Sequence, residues 1–112
     1  MSKFGLYSNK PSLPFETHLH GLGEQPRASL LEIRNFVKSL GDNVIEEVRP
    51  HRIVYAKSLT FRTFLDIQPK NDSLIISIRT SRNESATILT VNTMQEVEDL
   101  KSQIKNAYQT IQ

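Results

Sequence analysis

The chain has no cysteine and no tryptophan among its 112 residues. The missing thiols exclude disulfide staples, thiolate nucleophiles and cysteine-based zinc sites. No GxSxG elbow, P-loop or dinucleotide fingerprint occurs, so the commonest hydrolase and nucleotide-binding signatures are absent. No apolar run approaches the length of a membrane span. The opening residues, MSKFGLYSNKPSLPFE, lack the continuous apolar stretch of a secretory signal. These absences fit a reducing compartment. They lead us to expect a soluble cytoplasmic protein that is not an enzyme, with no membrane partner, cofactor or metal.

A length of 112 residues suits one domain with a single core and no need for cross-links. Hydrophobic content is 38% and charged content 23%, both ordinary for a globular chain. The net charge is only +2, but it is unevenly placed. From Arg49 to Arg82 there are seven Lys/Arg against two acids, a local net of +5. The flanking segments carry −1 before it and −2 after it. Such clustering argues for a polyanion partner more strongly than the total does.

Residues 1–27 hold three glycines and three prolines, dense enough to forbid a long helix or strand. They are expected to form an irregular arm, with Phe4, Leu6, Phe15, Leu19 and Leu22 available to pack on the body. Residues 28–112 then form one α+β domain. Ser29-Leu30-Leu31-Glu32 has the spacing of a capping box. Leu30, Ile33, Val37 and Leu40 follow at helical spacing, and Gly41 sits where a left-handed cap belongs. A helix is expected over residues 28–40.

From Val44 the pattern becomes one of short runs rich in Val, Ile, Phe, Tyr and Thr. Strands are expected at 44–48, 52–57, 61–68, 74–79 and 87–91. The turns between them are too short for parallel crossovers, so the strands form an antiparallel meander. Thr93-Met94-Gln95-Glu96 has the form of a second capping box. Val97, Leu100, Ile104, Tyr108 and Ile111 mark one face of a final helix. The expected architecture is an α+β two-layer sandwich: a meander of four to five strands flanked by an N-terminal and a C-terminal helix. Period two places Phe61, Thr63, Leu65 and Ile67 toward the helices and Arg62, Phe64, Asp66 and Gln68 outward. Leu74, Ile76 and Ile78 point in, leaving Ile75, Ser77 and Arg79 on the outer face.

The runs Leu40–Val48, Ile53–Lys57, Phe61, Phe64–Lys70 and Leu74–Ile78 share a further property with the closing Glu96–Leu100 and Ala107-Tyr108. Together they resemble a small uncharacterised domain family labelled "predicted transport protein". That family occurs alone and at the C-termini of restriction-endonuclease-like proteins. The resemblance covers roughly residues 28–110. Its motifs are core residues, so it implies a fold more than a chemistry. Relatives carry a longer Gly/His/Trp-rich segment before the last strand, where this chain has only Thr80–Ala86. Nothing in the sequence supports transport.

Three clusters invite a chemical reading. Arg49, His51, Arg52, Lys57, Arg62, Lys70, Arg79 and Arg82 can neutralise phosphates. Tyr55 and Phe64 interleave with them and can stack bases on an open sheet. The preferred function is therefore a non-enzymatic module that binds DNA or RNA through a basic sheet face and its turns. The plain alternative is that these charges only guard strand edges, with Tyr55 and Phe64 in the core. A rival function is docking to another protein, or to a second copy, through apolar residues of the sheet or arm. His18-Leu19-His20 would present two imidazoles on one side if extended, but a closed metal site needs about four ligands. His51 follows Pro50 beside Arg49 and Arg52 and, with no partner motif for a general base, reads best as a turn histidine. Glu46, Glu47, Asp66 and Lys70 suggest a metal-dependent nuclease. Gln68 stands where that pattern needs an acid.

Overall fold

The computed structural model describes residues 13–58, 60–81 and 85–111. The chain runs through a short 3-10 helix (Phe15–His18), α1 (Glu24–Lys38), β1 (Val44–Val48), β2 (Ile53–Lys57), β3 (Thr63–Pro69), β4 (Leu74–Ile78), β5 (Thr87–Val91) and α2 (Met94–Thr110). The five strands form one antiparallel sheet in chain order, β1-β2-β3-β4-β5. This is the expected α+β sandwich, with one helix on each side of the meander in sequence. Short hairpin connections leave no other order accessible without a crossover.

Alternation along each strand builds the core. Ile53, Tyr55, Leu65, Ile67, Leu74, Ile76 and Ile78 are all buried. They meet Leu30, Ile33 and Val37 of α1 and Val97, Leu100, Ile104 and Ala107 of α2 in a single cluster. Burying each large aliphatic side chain is worth about 1.5–3 kcal/mol. The two helices lie side by side, with α2 over β3 and β4. Lys101 of α2 fastens them, donating to Glu32 of α1 at 2.6 Å and pairing with Glu98 at 2.8 Å.

The start of α1 departs from expectation. The helix begins at Glu24 with Gly23 as its N-cap, so Ser29 lies inside it and forms no capping box. Pro26 does not prevent this, because a first-turn residue needs no amide hydrogen. Ser29 is buried, and its hydroxyl has no hydrogen-bond partner among the described residues. The helix ends at Lys38 with Ser39 as a right-handed cap. Gly41 has a negative φ and is not the left-handed cap. It is instead a place of close approach, since a Cβ there would collide with the Tyr108 hydroxyl. The Thr93–Glu96 capping box forms as expected: the Glu96 amide donates to Thr93 Oγ1, and the Thr93 amide donates to Glu96 Oε1.

The arm packs on the body over its described part. Phe15, His18 and Leu22 are buried. The Gly23 amide donates to the Asn71 carbonyl at 3.0 Å. His18 Nε2 donates to the Arg49 carbonyl at 2.6 Å; the oxygen can only accept, so that nitrogen carries the hydrogen. The arm thus crosses one end of the sheet, from the β1–β2 turn to the β3–β4 turn. Gly21 makes the bend with φ +82, a conformation that glycine adopts without strain. Phe4 and Leu6 lie outside the described residues.

Candidate functional site

Register sets which side chains share a face. Glu47, Val54, Asp66, Ser77 and Ile88 stand opposite one another across all five strands. Both helices pack on the other face, so this row belongs to the outer one. Gln68 and Ile75 pair in a neighbouring row, as the alternation predicts.

The aromatic part of the expected nucleic-acid face is overturned. The β2–β3 ladder pairs Tyr55 with Leu65 and Ala56 with Thr63, skipping Phe64. That skip is a β-bulge, which turns two successive side chains toward the same side. Phe64 is therefore fully buried and meets Tyr108 of α2 edge-on, ring centroids 5.4 Å apart. Tyr55 is fully buried as well. Neither ring can stack a base. Phe61, expected inside, is 64% exposed instead, with φ 55. A bulky residue in the left-handed region is strained.

The basic residues are split between the two ends of the sheet. Arg49, His51 and Arg52 crowd the β1–β2 turn, closed by the Arg49 amide donating to the Arg52 carbonyl at 2.8 Å. Lys70 lies at the same end, in the β3–β4 turn. Lys57, Arg62 and Arg79 gather at the opposite end, where the Lys57 amide donates to the Arg62 carbonyl and the Arg79 amide to the Phe64 carbonyl. Arg82 lies outside the described residues.

Several of these charges are already matched. Arg49 pairs with Glu47 at 2.8 Å and Arg52 with Asp66 at 2.9 Å. Both pairs flank Val54 in the register, and Val54 is only 4% exposed. Lys57 Nζ donates to the Ile111 carbonyl at 3.0 Å, which engages the ammonium without neutralising it. Arg62 and Lys70 form no ion pair with any described residue.

The carboxylates suspected of nuclease chemistry do not converge. Glu47 and Asp66 lie on the outer face, each held by an arginine. Glu46 is on the helix side, where Arg34 grips it with Nε at 2.9 Å and Nη2 at 3.0 Å. Tyr55 donates to the same carboxylate at 2.7 Å, and Lys38 stands 3.5 Å away. The Arg34 guanidinium stacks 4.0 Å from the Phe15 ring centroid. Burial alone would raise the Glu46 carboxyl, but the hydrogen bonds from Arg34 and Tyr55, with the nearby cationic charge, hold it below its usual range. Burial first, and then Glu46, push the Tyr55 phenol well above its usual range. A carboxylate so tightly satisfied and a phenol so firmly protonated form a clamp, unsuited to proton transfer. The clamp joins the arm, α1, β1 and β2.

The two histidines of the arm do not act together. His18 closes the 3-10 helix and is buried, whereas His20 lies in the turn after it and is exposed. No group of three or more potential metal-ligating side chains occurs among the described residues. No helix among them is long and apolar enough to cross a membrane.

The two edges of the sheet differ sharply. β1 carries Glu46 and Glu47 and is bound by Arg34 from α1. β5 is Thr-Ile-Leu-Thr-Val, without charge or proline. Thr87, Ile88 and Thr90 are exposed, Ile88 at 66%. No described element pairs with its outer side. Such an edge presents a row of unpaired amides and carbonyls. No protein family, curated protein or solved structure matches this chain.

Proposed function

We propose that this domain is a non-enzymatic protein-interaction module that accepts an extended segment along the open edge of β5. One observation carries the reading. Folded proteins guard sheet edges with charge, proline, bulges or a covering element; β1 is guarded, while β5 carries no charge or proline and no described element covers its outer side. Strand addition gains main-chain hydrogen bonds from such an edge and side-chain selectivity from the flanking faces. The mixed outer face, with Ile75 and Ile88 beside neutralised ion pairs, suits a protein better than a polyanion. Hydrogen exchange tests it. A peptide of alternating threonine and valine should slow exchange of the Thr87–Val91 amides and leave β1 unchanged. Unaltered β5 exchange at saturating peptide would end the proposal.

A second reading keeps DNA or RNA as partner but moves it from the sheet face to the sheet's end. Its support is Phe61, exposed and strained, beside Arg62, with Lys57 and Arg79 close in register. An exposed ring among cations can stack a single-stranded base. Anisotropy titration with a single-stranded oligonucleotide should show salt-dependent binding that Phe61→Ala and Arg62→Glu weaken. Absence of binding at low salt would dismiss it.

A further inference from the structure

Resting on the edge reading above, we infer that the occupant of β5 is a second copy of this chain, paired antiparallel about a two-fold axis at Leu89. The strand is self-complementary in that register. Leu89 meets Leu89 of the other copy, Thr87 meets Val91, and Ile88 meets Thr90. Because the offset between partners is even, each face meets its like. Leu89 and Val91, which face the helix side, stay on that side, while Ile88 and Thr90 stay on the outer face. The strand carries no charge, so no like charges oppose across the axis. Leu89 is only half-buried in the single chain, and its twin would complete its cover. A two-fold pairing consumes both open edges and stops there, giving a closed ten-stranded sheet rather than a fibre. Each end of that sheet would be a guarded β1.

The same register supplies the test. Ile88 and Thr90 are exposed, so substitutions there leave the core intact, which circular dichroism can verify. Sedimentation velocity across a concentration series should show a dimer for the natural chain. In the double variant Ile88→Lys with Thr90→Lys, each new lysine faces another across the axis, and the dimer should weaken by about tenfold or more. In Ile88→Lys with Thr90→Glu, each new lysine faces a new glutamate, and the dimer should return. Restoration by the second pair and loss by the first would establish both partner and register. A dimer equally strong in all three would lie elsewhere and overturn the inference, as would open-ended growth. A natural chain that stays monomeric while the threonine–valine peptide still protects β5 would overturn the second copy and leave the edge reading standing. A monomer in which the β5 amides that point away from β4 are protected without any peptide would overturn both.

Discussion

Arg34 and Glu46 meet through two parallel hydrogen bonds of 2.9 and 3.0 Å, joining the first helix to the edge strand of the sheet. The paired geometry makes the contact stronger than a single-point ion pair. The Glu46 side chain keeps only 13% of its exposure, so removing the arginine would strand a largely desolvated charge.

Replacing Arg34 with Met should therefore lower unfolding stability by about 2 kcal/mol, less than for a fully buried pair. Tyr55→Phe removes one donor to the same carboxylate and should cost about 1–2 kcal/mol. The two residues share Glu46, so the double variant should lose less than the sum. Urea denaturation of the three proteins checks each value.

Acid should weaken the fold through the same group. The folded state holds Glu46 below its ordinary value of 4.5, so the unfolded chain binds protons more readily as the pH falls. The stabilisation is complete above that ordinary value and is lost as the pH drops through the folded one. Glu96 acts in the same direction, since the backbone amide of Asn92 and the Thr93 hydroxyl favour its ionised form. Glu46→Gln should be less stable at neutral pH, and its stability should fall less steeply in acid. Denaturation midpoints followed from neutral pH downward would show a shallower acid limb for the variant.

Gly41 should tolerate no side chain. A Cβ at that position meets the Tyr108 hydroxyl, which also bonds to Asn43. Gly41→Ala should destabilise by about 1–3 kcal/mol through overpacking. Tyr108→Phe removes the obstructing oxygen, so the double variant should recover part of that loss. Thermal melts of both variants decide it.

Phe61→Asn should stabilise the protein by about 0.5–1 kcal/mol, because asparagine adopts the left-handed conformation at lower cost. Little packing is given up, since the ring is 64% exposed. A variant that gains stability while losing oligonucleotide binding would mark the strain at Phe61 as serving that contact.

The helices and strands could be read from the sequence because their apolar spacing was regular. Ile76 and Ile78 alternate with Ser77, and Val97, Leu100 and Ile104 recur at helical spacing. The errors came where one residue broke the period. The bulge at Phe64 shifts the phase of β3, exchanging the places of Phe61 and Phe64, and no local residue type announces it. Pro26 was counted among the breakers of an irregular arm, although it is compatible with a first helical turn. The ion pairs were hidden for a different reason. Arg52 and Asp66 are far apart in the chain, so the register that joins them had to be known before their charges could be cancelled. The antiparallel turns, which send Arg49, Arg52 and Lys70 to one end of the sheet and Lys57, Arg62 and Arg79 to the other, are why a segment of net +5 forms no single basic face.

The sequential order of the five strands has a kinetic meaning. Every ladder joins neighbours in the chain, so each hairpin closes a short loop and the sheet has low contact order. The long-range closures lie elsewhere, in Lys101 with Glu32 and in Tyr108 with Asn43. Folding should then nucleate in the hairpins and finish when α2 locks against α1. Ile76→Val should slow refolding, whereas Glu32→Ala and Asn43→Ala should chiefly hasten unfolding, so the same contacts that join the two ends of the chain would set how long the folded protein lasts.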